Sequence, residues 1–285
     1  MIRRLTIFGV GLIGGSLALA LRRAGTCEEV VGCSRSEDHL RQAVELGVID
    51  RYSLDPAEAV AGADMVVLAV PLGAMGGVCA AIRDHLAPDA ALTDVGSAKG
   101  SVVDAVREGF GELPHGFVPG HPIAGTERSG VAAAFPTLFQ GRRVILTPLD
   151  TTDIGALAKV RTMWEETGAV VESMSVAHHD EILAATSHLP HLLAFGLVDS
   201  LARMGERDEI FRYAAGGFRD FTRIASSDPV MWRDICLSNR EAILSVMAHY
   251  QEDLTMITEA VSRGDGERLL EIFQRAKAAR DRFCE

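Results

Sequence analysis

"FGVGLIGGS", residues Phe8–Ser16, decides how this chain is read. It holds Gly9-x-Gly11-x-x-Gly14, directly after the apolar run "RLTIFGV" and at the head of "GSLALALRRAG", where the apolar residues recur at helical spacing. A glycine pattern alone says little. A strand before it and a helix after it, at the start of a βαβ unit, is the context that dinucleotide binding requires. Gly9 permits the tight turn, Gly11 lets a pyrophosphate approach the backbone, and Gly14 lets the helix pack closely on the sheet. The helix N-terminus then faces the phosphates, so Leu12 and Ile13 in its first turn join the glycines as candidate nucleotide contacts. The opening "MIRRLTIF" also resembles the start of a signal peptide, but glycine follows it and no cleavage site does, so it reads as a first strand.

Outward from that turn, "EVVGCS", "ADMVVLAVP", "ALTDVG", "GFVPG", "RRVILTP" and "GAVVESM" are further short runs rich in Val, Ile and Leu. Helical patterns such as "SEDHLRQAVELG" lie between them. Near-continuous apolar strands alternating with helices predict a doubly wound, mainly parallel α/β sheet of Rossmann type over residues 1–173. From residue 174 to 285 the pattern becomes wholly helical, in long apolar stretches such as "DPVMWRDICLSNREAILSVMAHYQEDLTMITEAVSRG". Such helices in so short a segment need a covering surface, which predicts an all-α domain that pairs with a second copy in a homodimer.

The chain has 285 residues, 48% of them hydrophobic, and a formal net charge of −11. That length suggests two domains, and the acidic balance argues against nucleic-acid and anionic-membrane partners. No apolar run reads as long enough to span a bilayer. Five scattered cysteines, none in a C-x-x-C pair, suit a reduced cytoplasmic setting without structural zinc.

The second strand bears on the nucleotide. An NAD-preferring fold places an acidic residue about 20 positions beyond the glycines. Here the region is "VVGCSRSED", with Ser34 and Arg35 at that point. A hydroxyl and a guanidinium suit a 2′-phosphate, so NADP is favoured over NAD. Glu37 and Asp38 come late and open the next helix.

Ligands in such sheets bind outside the carboxyl ends of the strands. Those ends are "AVPLG", with Val70 and Pro71 as an apolar rest for a nicotinamide, "TDVGSAKG", with the Ser97 hydroxyl, and "GHPIAGTERSG", with His121. Pro122 biases His121 to extended backbone. An imidazole there is a natural general base, with Ser97 to orient it or the substrate hydroxyl. Lys99 is a rival catalyst, although a solvated helix start suits it better. In the helical half Arg219 and Arg223, four residues apart, suit carboxylate recognition. His178, His179, His188 and His191 cluster with Asp180, but Pro190 breaks the spacing and no metal site is expected.

In their order, "GVGLIGGS", "AVPLG", "TDVGSAKG", "GHPIAGTERSG", "SHLPH" and "GFRDFTRIASSDPVMWRD" resemble the prephenate and arogenate dehydrogenases of tyrosine biosynthesis, over nearly the whole chain. The resemblance implies oxidative decarboxylation of a cyclohexadienol dicarboxylate with hydride transfer to NAD(P)+. It implies His121 as the acceptor of the 4-hydroxyl proton, Ser97 as its orienting partner and Arg223 as the carboxylate ligand. His191 would contact the substrate side chain, while Thr126, Glu127 and Asp180 would line the entrance. A His191 donor leans toward prephenate, whose side chain carries a keto group, although a site accepting both substrates is also open. The length leaves no room for an added regulatory domain. The rival readings are an NADP-dependent two-domain hydroxyacid dehydrogenase and a non-enzymatic NADP(H) redox sensor.

Overall fold

The computed structural model describes residues 1–126, 128–205 and 207–283, leaving aside the side chains of Arg207 and Phe283. Strands β1 (Ile2–Phe8), β2 (Cys27–Cys33), β3 (Arg51–Ser53), β4 (Met65–Leu68), β5 (Ala91–Asp94) and β6 (Phe117–Val118) form one sheet in the order β3-β2-β1-β4-β5-β6. All of its pairings are parallel. The sheet carries two cores, one per face. Along β4, Met65 and Val67 join Leu5, Ile7 and Leu17 on one side, while Val66 and Leu68 join Phe8 and Val31 on the other. Burial on both faces is why these strands read as continuous apolar runs rather than as alternation. The N-terminal stretch is the central strand β1, as read.

Helix α1 (Leu12–Ala24) leaves the glycine turn and ends at Gly25, whose φ of 70° is the left-handed cap a helix needs there. Helices α2 (Glu37–Glu45) and α3 (Pro56–Val60) are capped by the side chains of Ser36 and Asp55. Helices α4 (Met75–Ile82) and α5 (Lys99–Phe110) follow β4 and β5.

One expectation changes here. "GFVPG" is not a single strand: the chain leaves the large sheet after Val118, and β7 (Gly120–Pro122) joins a second sheet. Pro119 between them has no N–H to continue a ladder. In that second sheet β7 runs antiparallel to β8 (Arg143–Leu146), and β8 runs parallel to β9 (Val170–Ser173) after the crossover helix α6 (Ile154–Glu165). His121 pairs with Ile145, so it stands inside a strand rather than beyond one.

Helix α7 (Val176–Leu183) continues through a π turn at Ala184–His188 into α8 (Leu189–Ala202). By length and composition alone, the 27 residues Val176–Ala202 could cross a bilayer, contrary to the reading that no run reaches that length. Its first turns, however, carry His178, His179, Asp180 and Glu181, and Asp180 is hydrogen-bonded to the start of α5. Helices α9 (Arg207–Arg212), α10 (Gly216–Thr222) and α11 (Pro229–Ser238) follow. Residues Met1–Arg240 pack as one compact unit, so these helices share it with the sheets. Glu241–Glu285 is a second unit, built from α12 (Arg240–Arg263) and α13 (Gly266–Phe283).

Candidate active site

The glycine turn is built for close approach. Gly9 has φ +88°, and a Cβ there would stand 2.4 Å from the Ala69 carbonyl oxygen. A Cβ on Gly14 would meet Gly9 O at 2.6 Å and the Ile7 side chain at 2.8 Å, whereas one on Gly11 would meet nothing within 4 Å. Two of the glycines are therefore demanded by packing, and the third faces open space. The N-terminus of α1 has no side-chain cap and no acidic residue in its first turn. Its free N–H groups suit an anion, so the turn fits a dinucleotide pyrophosphate. Beside it Ser34 is half-buried and Arg35 exposed, with no ion pair to Arg35 among the described residues. Glu37 is diverted to Arg41 (2.9 Å) and Tyr52 (3.0 Å). Val70 and Pro71 follow the end of β4, next to the Ala69 that contacts Gly9.

A buried ion pair joins the next two strand ends. Asp94, the last residue of β5, accepts from Gly96 N (2.7 Å) and, through its other oxygen, from Gly120 N (3.0 Å). The Lys99 ammonium donates to Asp94 and to Gly120 O (2.6 Å). Both side chains are fully buried. This overturns the expectation that Lys99 is a solvated helix start, and it also removes the lysine from contact with any ligand. Burial lowers the Lys99 pKa, against the opposing pull of Asp94. The pair clamps the residue before Ser97 to the residue before His121, so it fixes the two candidate catalytic side chains relative to each other. Ser97 itself is half-buried, with no protein partner for its hydroxyl among the described residues.

Behind His121 stands a chain of polar groups. His121 Nδ1 lies 2.9 Å from His179 Nε2, and His179 Nδ1 lies 2.7 Å from Asp180 Oδ1. Asp180 also accepts from Lys99 N (2.8 Å) and Gly100 N (2.8 Å), the first amides of α5. Burial opposes ionisation of Asp180, but the His179 hydrogen bond and the two amides outweigh it, and its pKa falls. Asp180 was expected to line the entrance for substrate; instead both of its oxygens are spent inside the protein. Burial, and then the neighbouring His179 and Lys99, hold His121 well below the ordinary histidine range, and burial also lowers His179. Both rings are therefore neutral.

His188 accepts from Asn239 Nδ2 (3.1 Å), which also donates to Asp180 O (2.8 Å), and burial pushes the His188 pKa down to about 4. His191 is half-buried and stacked on Trp232, with ring centroids 3.6 Å apart. Its Nδ1 donates to Ser187 O (2.9 Å). Burial lowers its pKa, the Ser187 bond opposes that, and the nearby Arg223 guanidinium lowers it further. A neutral His191 with its proton on Nδ1 offers a lone pair at Nε2. It is an acceptor there, not the donor expected from the sequence, and the lean toward prephenate loses its basis. Arg223, exposed in the turn after α10, is close enough to act on His191. Thr126 is exposed in the loop after β7, with its hydroxyl accepting from Arg128 N (3.2 Å). Glu127 lies outside the described residues.

Known proteins resemble the chain over nearly its whole length. The family descriptions "Prephenate dehydrogenase, nucleotide-binding domain" and "Prephenate dehydrogenase, dimerization domain" match residues 17–173 and 175–275. The chain belongs to the prephenate dehydrogenase family. It is 41% identical to cyclohexadienyl dehydrogenase of Zymomonas mobilis, over 98% of this chain and 95% of that one. It is 37% identical to prephenate dehydrogenase of Bacillus subtilis, over 96% and 74%. The crystal structure of Aquifex aeolicus prephenate dehydrogenase with hydroxyphenyl propionate and NAD+ superposes with a TM-score of 0.92 at 38% identity, covering 99% of this chain and 98% of that one. Membership makes the chain a pyridine-nucleotide-dependent oxidoreductase, and its reaction is the oxidative decarboxylation that leads to tyrosine.

As a prephenate dehydrogenase family member, the chain brings Gly9, Gly11, Leu12, Ile13, Gly14, Val70, Ser97 and His121 to one edge of its sheets. His191 and Arg223 form a second group on the helices, beside Trp232. Three contributors were missed in the sequence. The pairing of His179 with His121 spans 58 positions, and only the adjacency in "HHD" hinted at it. Asn239 and the Asp94–Lys99 pair carried no motif.

Proposed function

We propose that this chain oxidatively decarboxylates both prephenate and arogenate, that NADP+ is its preferred hydride acceptor, and that His121 is the general base. The carrying observation is the hydrogen-bonding state of His121. Its Nδ1 is engaged by His179, and its Nε2 has no partner among the described residues. A neutral imidazole with one free lone pair is what proton abstraction from a hydroxyl requires.

Gly9, Gly11, Gly14 and the start of α1 would hold the pyrophosphate, with Val70 and Pro71 beneath the nicotinamide and Ser34 and Arg35 at the 2′-phosphate. Bound there, the dinucleotide supplies the hydride acceptor. His121 Nε2 takes the 4-hydroxyl proton as C4 of the substrate loses hydride and the ring carboxylate leaves as CO2. It then returns that proton to the phenolic oxygen, so no proton is gained or lost overall. Ser97 holds the hydroxyl in line with Nε2. Arg223 binds a carboxylate common to both substrates. The His191 Nε2 lone pair accepts from the ammonium of arogenate, whereas the keto oxygen of prephenate, itself an acceptor, makes no hydrogen bond there and that substrate is held through Arg223. Thr126 follows His121 in the chain and borders the entrance.

We assign residues 1–173 to nucleotide binding and 174–285 to substrate binding and dimerisation. The reaction belongs in the cytoplasm, a reading supported by four free cysteines among the described residues. Absorbance at 340 nm with prephenate or arogenate, each with NAD+ and NADP+, tests the proposal. Turnover of both substrates, faster with NADP+, is expected. Turnover with NAD+ alone would mean that Arg35 is only a solvated charge, and exclusive use of prephenate would overturn the reading of His191.

A further inference from the structure

A free lone pair on His121 Nε2 is only one of two possible states of a neutral imidazole, and nothing in the ring itself selects it. The groups behind the ring do. Ionised Asp180 is an acceptor only. With Oδ1 bound to Lys99 N and Oδ2 to Gly100 N, it can engage His179 Nδ1 only by receiving its proton. A neutral His179 with its proton on Nδ1 has a lone pair at Nε2. The 2.9 Å contact to His121 Nδ1 must then be a donation from His121, which leaves His121 Nε2 bare. Each step is forced by the one before.

From this geometry we infer that His179 and Asp180 are positioning residues that hold the tautomer of His121, with the α5 amides as the fixed end of the chain. The inference rests on the reading of His121 as the base. The device is anchored from two sides. Asn239 donates to the Asp180 carbonyl (2.8 Å), fixing the first turn of α7, and the Lys99 side chain is tied to the backbone beside His121 through Gly120 O (2.6 Å). When His121 accepts a proton, the ring becomes an imidazolium whose Nδ1–H already points at an acceptor. The Asp180 charge lies one ring further back. The arrangement matches the principle by which a buried carboxylate keeps a catalytic imidazole in its working tautomer, here with a second imidazole interposed.

Asp180→Asn is the discriminating variant. Its amide oxygen can serve Lys99 N and His179 Nδ1 and lose Gly100 N, or serve Gly100 N with its NH2 facing His179 Nδ1 and lose Lys99 N. In the second orientation the proton of His179 moves to Nε2, which donates to His121 Nδ1 and leaves the His121 proton on Nε2, where it blocks the base. The tautomer is then no longer held, and we expect kcat to fall about tenfold or more with KM nearly unchanged. His179→Gln keeps an acceptor toward His121 and should stay within about tenfold of the parent, whereas His179→Leu should fall about 100-fold or more. Long-range proton–nitrogen NMR of the 15N-histidine-labelled full chain reads the tautomer directly. The parent should carry the His121 proton on Nδ1 alone, and Asp180→Asn should show it on Nε2 as well.

A parent His121 protonated on Nε2 overturns the inference, even if Asp180→Asn fails to fold. So does equal damage from His179→Gln and His179→Leu, which is what a packing role gives. His121→Asn separates this failure from that of the base reading. If His121→Asn is inactive but Asp180→Asn retains full kcat, the positioning role is wrong and the base stands. If His121→Asn retains kcat, the base reading itself is wrong.

Discussion

The state of His121 has a direct consequence for pH. Burial is the main cause of its lowered pKa, and His179 and Lys99 add to it. A base with a depressed pKa stays unprotonated as pH falls through the ordinary histidine value of 6.5, and loses activity only below that. The acid limb of kcat/KM should therefore show an apparent pKa below 6.5, belonging to the coupled His121–His179 pair rather than to one ring. A pH–rate profile checks this, and a limb centred at 6.5 or above would show that the ring is solvated in the working enzyme. Arg35 carries the other prediction at this scale. It is exposed beside the glycine turn with no ion pair among the described residues, so its charge is available to a 2′-phosphate. Arg35→Ala should raise KM for NADP+ about tenfold, the scale of one charge-assisted hydrogen bond, and leave KM for NAD+ nearly unchanged. Equal KM changes for the two nucleotides would assign the arginine no part in the choice.

Among the elements, the junction of β5, α5 and β7 depends on the Asp94–Lys99 pair. Both groups are fully buried, so removing one leaves the other charged and unpaired in the interior. Lys99→Met should cost about 3–5 kcal/mol in urea unfolding, the usual scale for breaking a buried pair. A loss under 1 kcal/mol would mean that water reaches Asp94. This junction also marks the limit of what the sequence disclosed. The six parallel strands were legible, apart from the three-residue β3, because burial on both faces leaves an apolar run that needs no partner to be recognised. His121 was legible because Pro122 and the glycines around it mark a break in the chain, although the break is the passage from one sheet to the other rather than a turn beyond a strand. The second sheet was not, since β7 pairs with β8 across more than twenty residues and no local pattern encodes that register. Lys99 was misread because a lysine at a helix start is ordinarily solvated, and only the three-dimensional approach of Asp94 and Gly120 O makes its burial possible. The state of His191 was misread for a similar reason: its tautomer is set by the Ser187 carbonyl one helical turn back, which a list of side chains does not reveal.

For the molecule as a whole, the second unit poses the stability question. Helix α12 buries only Ile243 and Ala260 among its described residues, and α13 buries none. Leu254 and Val261 of α12 and Leu270 and Phe273 of α13 are all exposed, with values from 47% to 63%. Residues 254 and 261 are seven apart and fall on one face of the helix. A 45-residue unit with so little core falls near the size at which an isolated domain needs a metal, a disulfide or a partner to be stable. The unit's sequence holds a single cysteine, Cys284, so no disulfide can form within it. A second copy of the chain would serve, through a self-complementary surface with its apolar face inward, a choice that the match to a dimerization domain supports. The parent should sediment as a dimer at micromolar concentration. Leu254→Lys combined with Phe273→Lys should bury two charges in each half of that surface, shift the equilibrium to monomer and lower the thermal midpoint. The shift should appear in sedimentation equilibrium before any change in far-UV circular dichroism at room temperature, because the first unit keeps its own two cores. A parent that sediments as a monomer would leave this apolar face without a second copy to cover it and would overturn the reading.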